Sequence, residues 1–258
     1  MTDAFGLYSD YYDLLYQDKD YQGEAAFVSR LLLDADPYAK SLLEFGCGTG
    51  VHAELLTGSG FHVTGVERSE TMLKQARERA TRIAASDCHG SFCAFPGDAQ
   101  AFRSESSFDA VLSLFHVVSY QTEQSALEAF FENAARHLKV GGVFLFDVWY
   151  GPAVLTERPV VRVKRIANER LQVVRVAEPD LIANQNLVKV KYQIFARASG
   201  TENYEAFEET HCMRYFFAPE IRLLAEKFGM SILSAQEWLT QAALSDRTWG
   251  ACFLLRKN

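Results

Sequence analysis

The sequence predicts an α/β fold, a doubly wound, mostly parallel sheet that carries an antiparallel β insertion before its last strands. Three observations predict it. Short apolar strands alternate with amphipathic helices from Ser41 to Val148, and alternation with period two replaces that pattern between Pro152 and Phe217. A helix and two strand-like runs then close the chain. With 258 residues, 48% of them hydrophobic, the chain can bury one large core, or a core with a small appended module.

In chain order, YQGEAAFVSRLLLDADP spaces Ala26, Phe27, Arg30, Leu31 and Leu33 as an amphipathic helix that stops at Pro37. SLLEF, Ser41 to Phe45, is a short buried strand, and VHAELLTGSG a helix closed by glycine. FHVTGVE, Phe61 to Glu67, is the second strand, and Ser69 is placed to cap the helix ETMLKQARERATRIA. SFCAFPGD, FDAVLSLF and GGVFLFDV supply three more strands, with SALEAFFENAARHLK as the helix before the last of them. Crossovers of this kind are right-handed and build a parallel sheet. Beyond Tyr150, VVRVKRIA, RLQVVRVAE, NLVKVKYQIFARA and YEAFEETHCMRYFF alternate polar with apolar residues, as antiparallel strands with one wet face do. Pro219 opens the helix PEIRLLAEKFG, Gly229 ends it, and SILSAQEW and WGACFLLRK are strands able to rejoin the sheet. The expected division is a core with an N-terminal helical segment over 1–150, an antiparallel insertion over 151–217 acting as a lid on the sheet's binding edge, and a helix with two strands over 218–258 completing the core.

A formal charge of −7 leaves no basic footprint for a nucleic-acid backbone. The longest apolar runs, such as VFLFDVW, are too short to span a bilayer, and MTDAFGLYSD has neither the basic nor the apolar part of a secretory signal. The expectation is a cytoplasmic protein with a small-molecule partner, no nucleic acid and no membrane; a homodimer is the candidate assembly. Five scattered cysteines without a CxxC pair fit reduced thiols, and Cys88, His89 and Cys93 lack the second half of a zinc site, so no metal is expected.

LLEFGCGTGVHAELL holds three glycines in five residues at the first strand-to-helix turn, where the backbone of an open α/β sheet comes closest to a nucleotide. Gly46, Gly48 and Gly50 fit a GxGxG turn, which holds a ligand without phosphates. They miss the dinucleotide GxGxxG, because Val51 stands where its third glycine belongs.

EFGCGTG, followed by GVERSETML and PGDA, resembles the class I S-adenosylmethionine-dependent methyltransferases over residues 41 to 150. The resemblance implies a Rossmann-like sheet of seven strands with the last antiparallel, and S-adenosyl-L-methionine as cofactor, leaving as S-adenosyl-L-homocysteine. By the same resemblance Glu44 lies near the amino group of the methionine moiety, the three glycines let the backbone pass beneath it, and Glu67 accepts both ribose hydroxyls. Asp98 and Ala99 contact adenine, Arg68 and Met72 flank it, and Leu114, after the fourth strand, joins the cofactor-binding set. Met72 equally fits the core, at helical spacing with Leu73 and Ala76.

The segment LFHVVSYQ lacks the (D/N)PP(Y/F) signature of many nucleobase and protein amino-methylating enzymes. YYDLLYQDKDYQGEAAFVSRLL, VWYGPAV, HCMRYFF and DRTWGACFLL resemble the nucleotide-linked amino-sugar N,N-dimethyltransferases. This resemblance implies that Tyr12, Tyr16 and Tyr21 fold over the cofactor, that Arg30 is a partner for its carboxylate, and that Tyr120 lies near the acceptor amine. Two positions depart from it: Tyr150 replaces the second residue of a Trp pair, and His116 stands where those relatives have Ser. An amine must lose its proton before it can attack a methyl group, so His116, Tyr120 and Tyr12 are the catalytic candidates. His211, within the alternating FEETHCMRYFF, either faces the same cleft or is a strand residue on the wet face, the second being the preferred reading. Trp149, Tyr150, Arg214 and Arg247 are the substrate-binding candidates, the rings to stack on a base or sugar and the arginines to grip a diphosphate. Other readings are another small-molecule N- or O-methyltransferase and a non-catalytic cofactor-binding regulator. A short-chain dehydrogenase is disfavoured, since no YxxxK occurs.

Overall fold

The computed structural model describes residues 11–201 and 203–258; MTDAFGLYSD and Glu202 lie outside the described residues. Five parallel strands alternate with helices: β1 (Ser41–Phe45), β2 (His62–Glu67), β3 (Ser91–Pro96), β4 (Phe108–Ser113) and β5 (Leu138–Tyr150). The chain ends in β10 (Met230–Glu237) and β11 (Gly250–Lys257). β11 runs antiparallel to both β5 and β10, so the core sheet reads β3-β2-β1-β4-β5-β11-β10 with β11, the last strand in chain order, reversed.

Helices cover both faces because the strands are apolar on both. On one face α2 (Tyr21–Ala35), α3 (Val51–Gly58) and α4 (Glu70–Ala84) bury Val28, Leu32, Ala53, Leu56, Leu73 and Ala76. On the other, α5 (Gln124–His137) and α7 (Ala218–Lys227) bury Phe130, Phe131, Ala134, Ile221 and Leu224. The Ser69 hydroxyl caps α4, accepting from Met72 N at 3.4 Å.

Four strands, β6 (Arg162–Ala167), β7 (Leu171–Ile182), β8 (Leu187–Ala198) and β9 (Glu205–Phe216), form an antiparallel meander. Its strand ladder joins the core sheet where the end of β9 pairs with the end of β5, Trp149 with Tyr215 and Tyr150 with Phe216. Tyr215 and Phe216 are fully buried there. The segment before β6 is not strand: Gly151–Thr156 forms the short helix α6, with Pro152 in its first turn and Ala153 and Val154 buried. Proline's fixed φ suits a first helical turn, so the antiparallel run starts about ten residues later than Pro152. The four-residue helix α1 (Tyr12–Leu15) docks Leu15 against Val173, Ile194 and Ala196 of the meander. The carboxyl ends of β1 and β4 therefore open into a cleft bounded by α1, α2 and the meander.

Candidate functional site

All three glycines of the first turn have left-handed backbone, with φ of +70° at Gly46, +57° at Gly48 and +83° at Gly50. The conformation is set by bonds to the next strand, since Gly46 N and Cys47 N both donate to Val66 O, at 2.8 and 3.1 Å. A Cβ on Gly46 would lie 2.7 Å from Val117, and one on Gly50 would lie 2.7 Å from Phe92. Gly48 differs: the nearest atom to an added Cβ is Met72 Sδ at 4.0 Å, so it borders open space. Two of these positions are needed for packing, and the middle one keeps a passage clear.

Two buried carboxyls stand beside this passage. Glu67 is tied to backbone on both sides, its Oε2 accepting from Gly48 N at 2.9 Å and its Oε1 from Ser69 N at 2.7 Å. Each oxygen keeps lone-pair capacity for a further donor, as ribose recognition requires. Burial raises the Glu67 pKa against the pull of these amides. Glu44, at the end of β1, is 1% exposed, and its Oε2 has no hydrogen-bond partner among the described residues. Burial, and secondarily the charge of Glu67, push Glu44 up to about 8. A buried acceptor of this kind is costly unless something satisfies it, and a ligand carrying an ammonium group would do so. The residues present thus fit the sulfonium amino acid that the sequence implies.

The remaining cofactor candidates divide by place. Met72 is buried yet lies beside Gly48. Arg68 is exposed immediately after Glu67, close enough to Tyr120 to act on its charge. Asp98 is exposed and caps its own turn, Oδ1 accepting from Gln100 N at 2.8 Å. The carbonyl of Ala99 is held by Asn133 Nδ2 at 2.7 Å. Leu114 is buried in the core on the side of α2 and α3. Tyr21 meets His52 of α3 edge-on at 5.1 Å, and burial pushes its hydroxyl well up from the ordinary value. Arg30 is not brought to the turn. It lies exposed on α2 over Phe27 at 5.4 Å, its guanidinium against the side-chain amide of Gln241. The cation nearer the cleft is Lys19, which pairs with buried Glu24 and lies 4.5 Å from the centre of the Phe115 ring.

At the end of β4 the backbone is strained, with Phe115 and His116 both left-handed at φ +62° and +63°. The buried carboxylate of Asp147 on β5 holds the bend by accepting from His116 N at 3.1 Å. His116 Nδ1 also lies 2.7 Å from Asp147 Oδ2, a close approach out of line for a hydrogen bond. Its ring stands 6.2 Å from Trp149, which in turn meets Trp249 edge-on at 6.2 Å. Tyr12 and Tyr16 pack on Phe115 with ring centres 6.3 and 5.0 Å away. Across the cleft the Tyr120 hydroxyl is 2.8 Å from His211 Nδ1, and His211 Nε2 is 3.3 Å from Glu209 Oε2.

Two substrate candidates lie elsewhere. Neighbouring residues of β5 face opposite ways, so Trp149 joins the cluster under the meander whereas Tyr150 packs into the core beside α5 and α7. Arg214 bonds Glu220 of α7 and Gln124 of α5, which commits its guanidinium. Arg247 is exposed in the turn before β11, beside Trp249, whose Nε1 donates to Glu157 at 2.9 Å. Asp147 and Glu209 did not stand out in the sequence, and His211, read there with the wet face preferred, is buried instead. A lone carboxylate inside the apolar run VFLFDVW was a usable signal for the first. His211 gave none, because its strand alternates and register alone decides which face it takes.

Residues 42–142 match a family model described as a methyltransferase domain. The chain is 29% identical over 227 residues to dTDP-3-amino-3,4,6-trideoxy-α-D-glucopyranose N,N-dimethyltransferase of Streptomyces venezuelae, covering 87% of this chain and 90% of that one. It is 28% identical over 233 residues to dTDP-3-amino-3,6-dideoxy-α-D-glucopyranose N,N-dimethyltransferase of Streptomyces fradiae, covering 90% and 86%. A solved sugar N-methyltransferase from Streptoalloteichus shares the fold with a TM-score of 0.80 at 24% identity, over 100% of this chain and 96% of that one.

Proposed function

We propose that this S-adenosylmethionine-dependent methyltransferase transfers its methyl group to the amine of a nucleotide-linked amino sugar. The observation that carries the reading is the likeness to two enzymes named for that reaction along nearly their whole length, across the meander as well as the glycine turn. Bound S-adenosylmethionine supplies a methyl group on a sulfonium sulfur that departs as a neutral thioether. Glu44 takes the ammonium end of the cofactor, Glu67 its ribose, and Gly48 leaves room for both. The meander, α1 and Phe115 exclude water and fix the acceptor for in-line attack. Trp149 and Trp249 offer rings to the sugar or base, and Arg247 is the cation for the diphosphate. No helix among the described residues is long and apolar enough to cross a membrane. The chain acts in the cytoplasm on a small molecule, with no nucleic-acid partner.

Release of S-adenosylhomocysteine, measured against a panel of thymidine-diphosphate amino sugars, free amino sugars, amino acids and catechols, tests the reading. Turnover confined to the nucleotide-linked amines is expected. Turnover of catechols or free amino acids with none of any nucleotide sugar would reject the acceptor, and no turnover beside intact cofactor binding would favour a regulator.

A further inference from the structure

The backbone and the ring of His116 both turn toward one carboxylate. Asp147 is 1% exposed, and its only polar partner among the described residues is His116, whose backbone N donates to both oxygens at 3.2 and 3.1 Å and whose Nδ1 approaches one of them to 2.7 Å. A lone pair on Nδ1 would repel an oxygen so close, which places the hydrogen of the neutral imidazole on Nδ1 and the lone pair on Nε2. Nε2 is accessible and hydrogen-bonded to no described residue, on a side chain that is 23% exposed. The ring lies 5.8 Å from that of Phe115 and 6.2 Å from that of Trp149, with its Cε1 toward Gly250 at the start of β11. The next residue, Val117, packs on Gly46, so His116 stands between the cofactor turn and the rings of Trp149 and Trp249.

The other titratable groups around this place are Lys19, Tyr12 and Tyr16 on Phe115, Glu24, which accepts from Trp238 beside Gly250, and Cys252, opposite Asp147 in the strand ladder. Burial, and then the charge of Asp147, hold the Cys252 thiol well above its ordinary pKa, so it stays neutral. Among these groups Asp147 alone pairs with the imidazole. The histidine stands where the resembled enzymes have Ser, so its chemistry is this chain's own.

Resting on the amine reading above, we propose that His116 is the general base of methyl transfer and that Asp147 is the residue that positions it. An N–H bond of the bound ammonium breaks as its proton binds His116 Nε2, and the amine keeps the electron pair for attack. The imidazolium so formed carries its Nδ1 hydrogen beside Asp147. Its accessible Nε2 then gives the proton to water, which restores the neutral ring.

Nitrogen-15 NMR of histidine-labelled protein without ligand tests the geometry, the His116 signals being assigned by their loss in His116→Asn. The neutral ring should carry its hydrogen on Nδ1, and Asp147→Asn should shift that hydrogen toward Nε2. Turnover of a thymidine-diphosphate amino sugar tests the chemistry in His116→Asn and His116→Gly, the two replacements best suited to left-handed backbone. Each should lower kcat about 100-fold near neutrality, within the usual range for losing general-base catalysis. The deficit should close toward wild type as rising pH deprotonates the amine in solution, with the cofactor Kd unchanged. A neutral ring protonated on Nε2 in the wild type, an unchanged kcat in both variants, or a loss equal at every pH would overturn the proposal while wild-type amine turnover stands. Wild-type turnover of hydroxyl acceptors alone would instead overturn the amine reading, and the proposal with it.

Discussion

The two sides of the cleft are built at different distances along the chain. On the cofactor side the defining bond, Gly48 N to Glu67, spans 19 residues and joins two neighbouring strand ends by backbone conformation. On the acceptor side the bond from Tyr120 to His211 spans 91 residues and depends on the meander landing on the core in one register. The first is a rigid turn whose demands are steric. The second is an encounter of side chains from the 3-10 turn Val117–Tyr120, β8, β9 and the N-terminal segment, free to vary while the turn stays constant.

Damage to the turn should therefore cost folding, and the sharpest form of the contrast lies within the turn itself. Gly46→Ala places a methyl group against Val117 in left-handed backbone and should destabilise the protein by about 2–4 kcal/mol, from strain plus overpacking. Gly48→Ala meets only the backbone penalty, about 1 kcal/mol, yet puts the methyl group in the passage. Thermal unfolding should separate the two, and calorimetry should find cofactor binding lost in Gly48→Ala although the protein stays folded. Equal stability for both variants would break the distinction.

Next in size, Glu67→Ala should weaken cofactor binding by about 1–3 kcal/mol, the cost of unpaired hydroxyls. It should also lower stability, because Gly48 N and Ser69 N lose their acceptor.

Glu44 gives a pH signature. Its pKa in the folded chain is raised to about 8, above that of an unfolded glutamate, so between about pH 4.5 and 8 the folded state holds a proton that the unfolded state has released. Stability from this group is full at low pH and declines as pH rises through that window. Glu44→Gln should remove the decline in unfolding curves. Binding of a cationic ligand should expel the proton, so binding heats near pH 6.5 should vary with the ionisation heat of the buffer. Buffer-independent heats would argue against Glu44 as the ammonium partner.

The smallest effects belong to the two arginines. Arg247→Ala should raise the acceptor KM several-fold and leave the cofactor Kd alone, as loss of a contact to a non-reacting part of the acceptor does. Arg214→Ala should leave KM unchanged and cost about 1 kcal/mol of stability, since its guanidinium serves Glu220 and Gln124. The reverse pattern would exchange their roles.

The sequence by itself determined the doubly wound core, the cap at Ser69, the glycine turn and the four alternating strands, because each is written in periodicity or in a backbone conformation that one residue type supplies. It also placed Glu44 and Glu67 near strand ends, since Glu44 is the next-to-last residue of SLLEF and FHVTGVE terminates in Glu67. Only the tertiary structure decided that Arg30 and Arg214 are spent outside the cleft, that Tyr150 turns into the core, that Asp147 grips a strained His116, and that His211 meets Tyr120. These depend on which face of a strand or helix lands against which neighbour. A shift of one residue in the register of β9 would send His211 to solvent with almost no trace in the local pattern, so no stretch of sequence around it could have carried the answer.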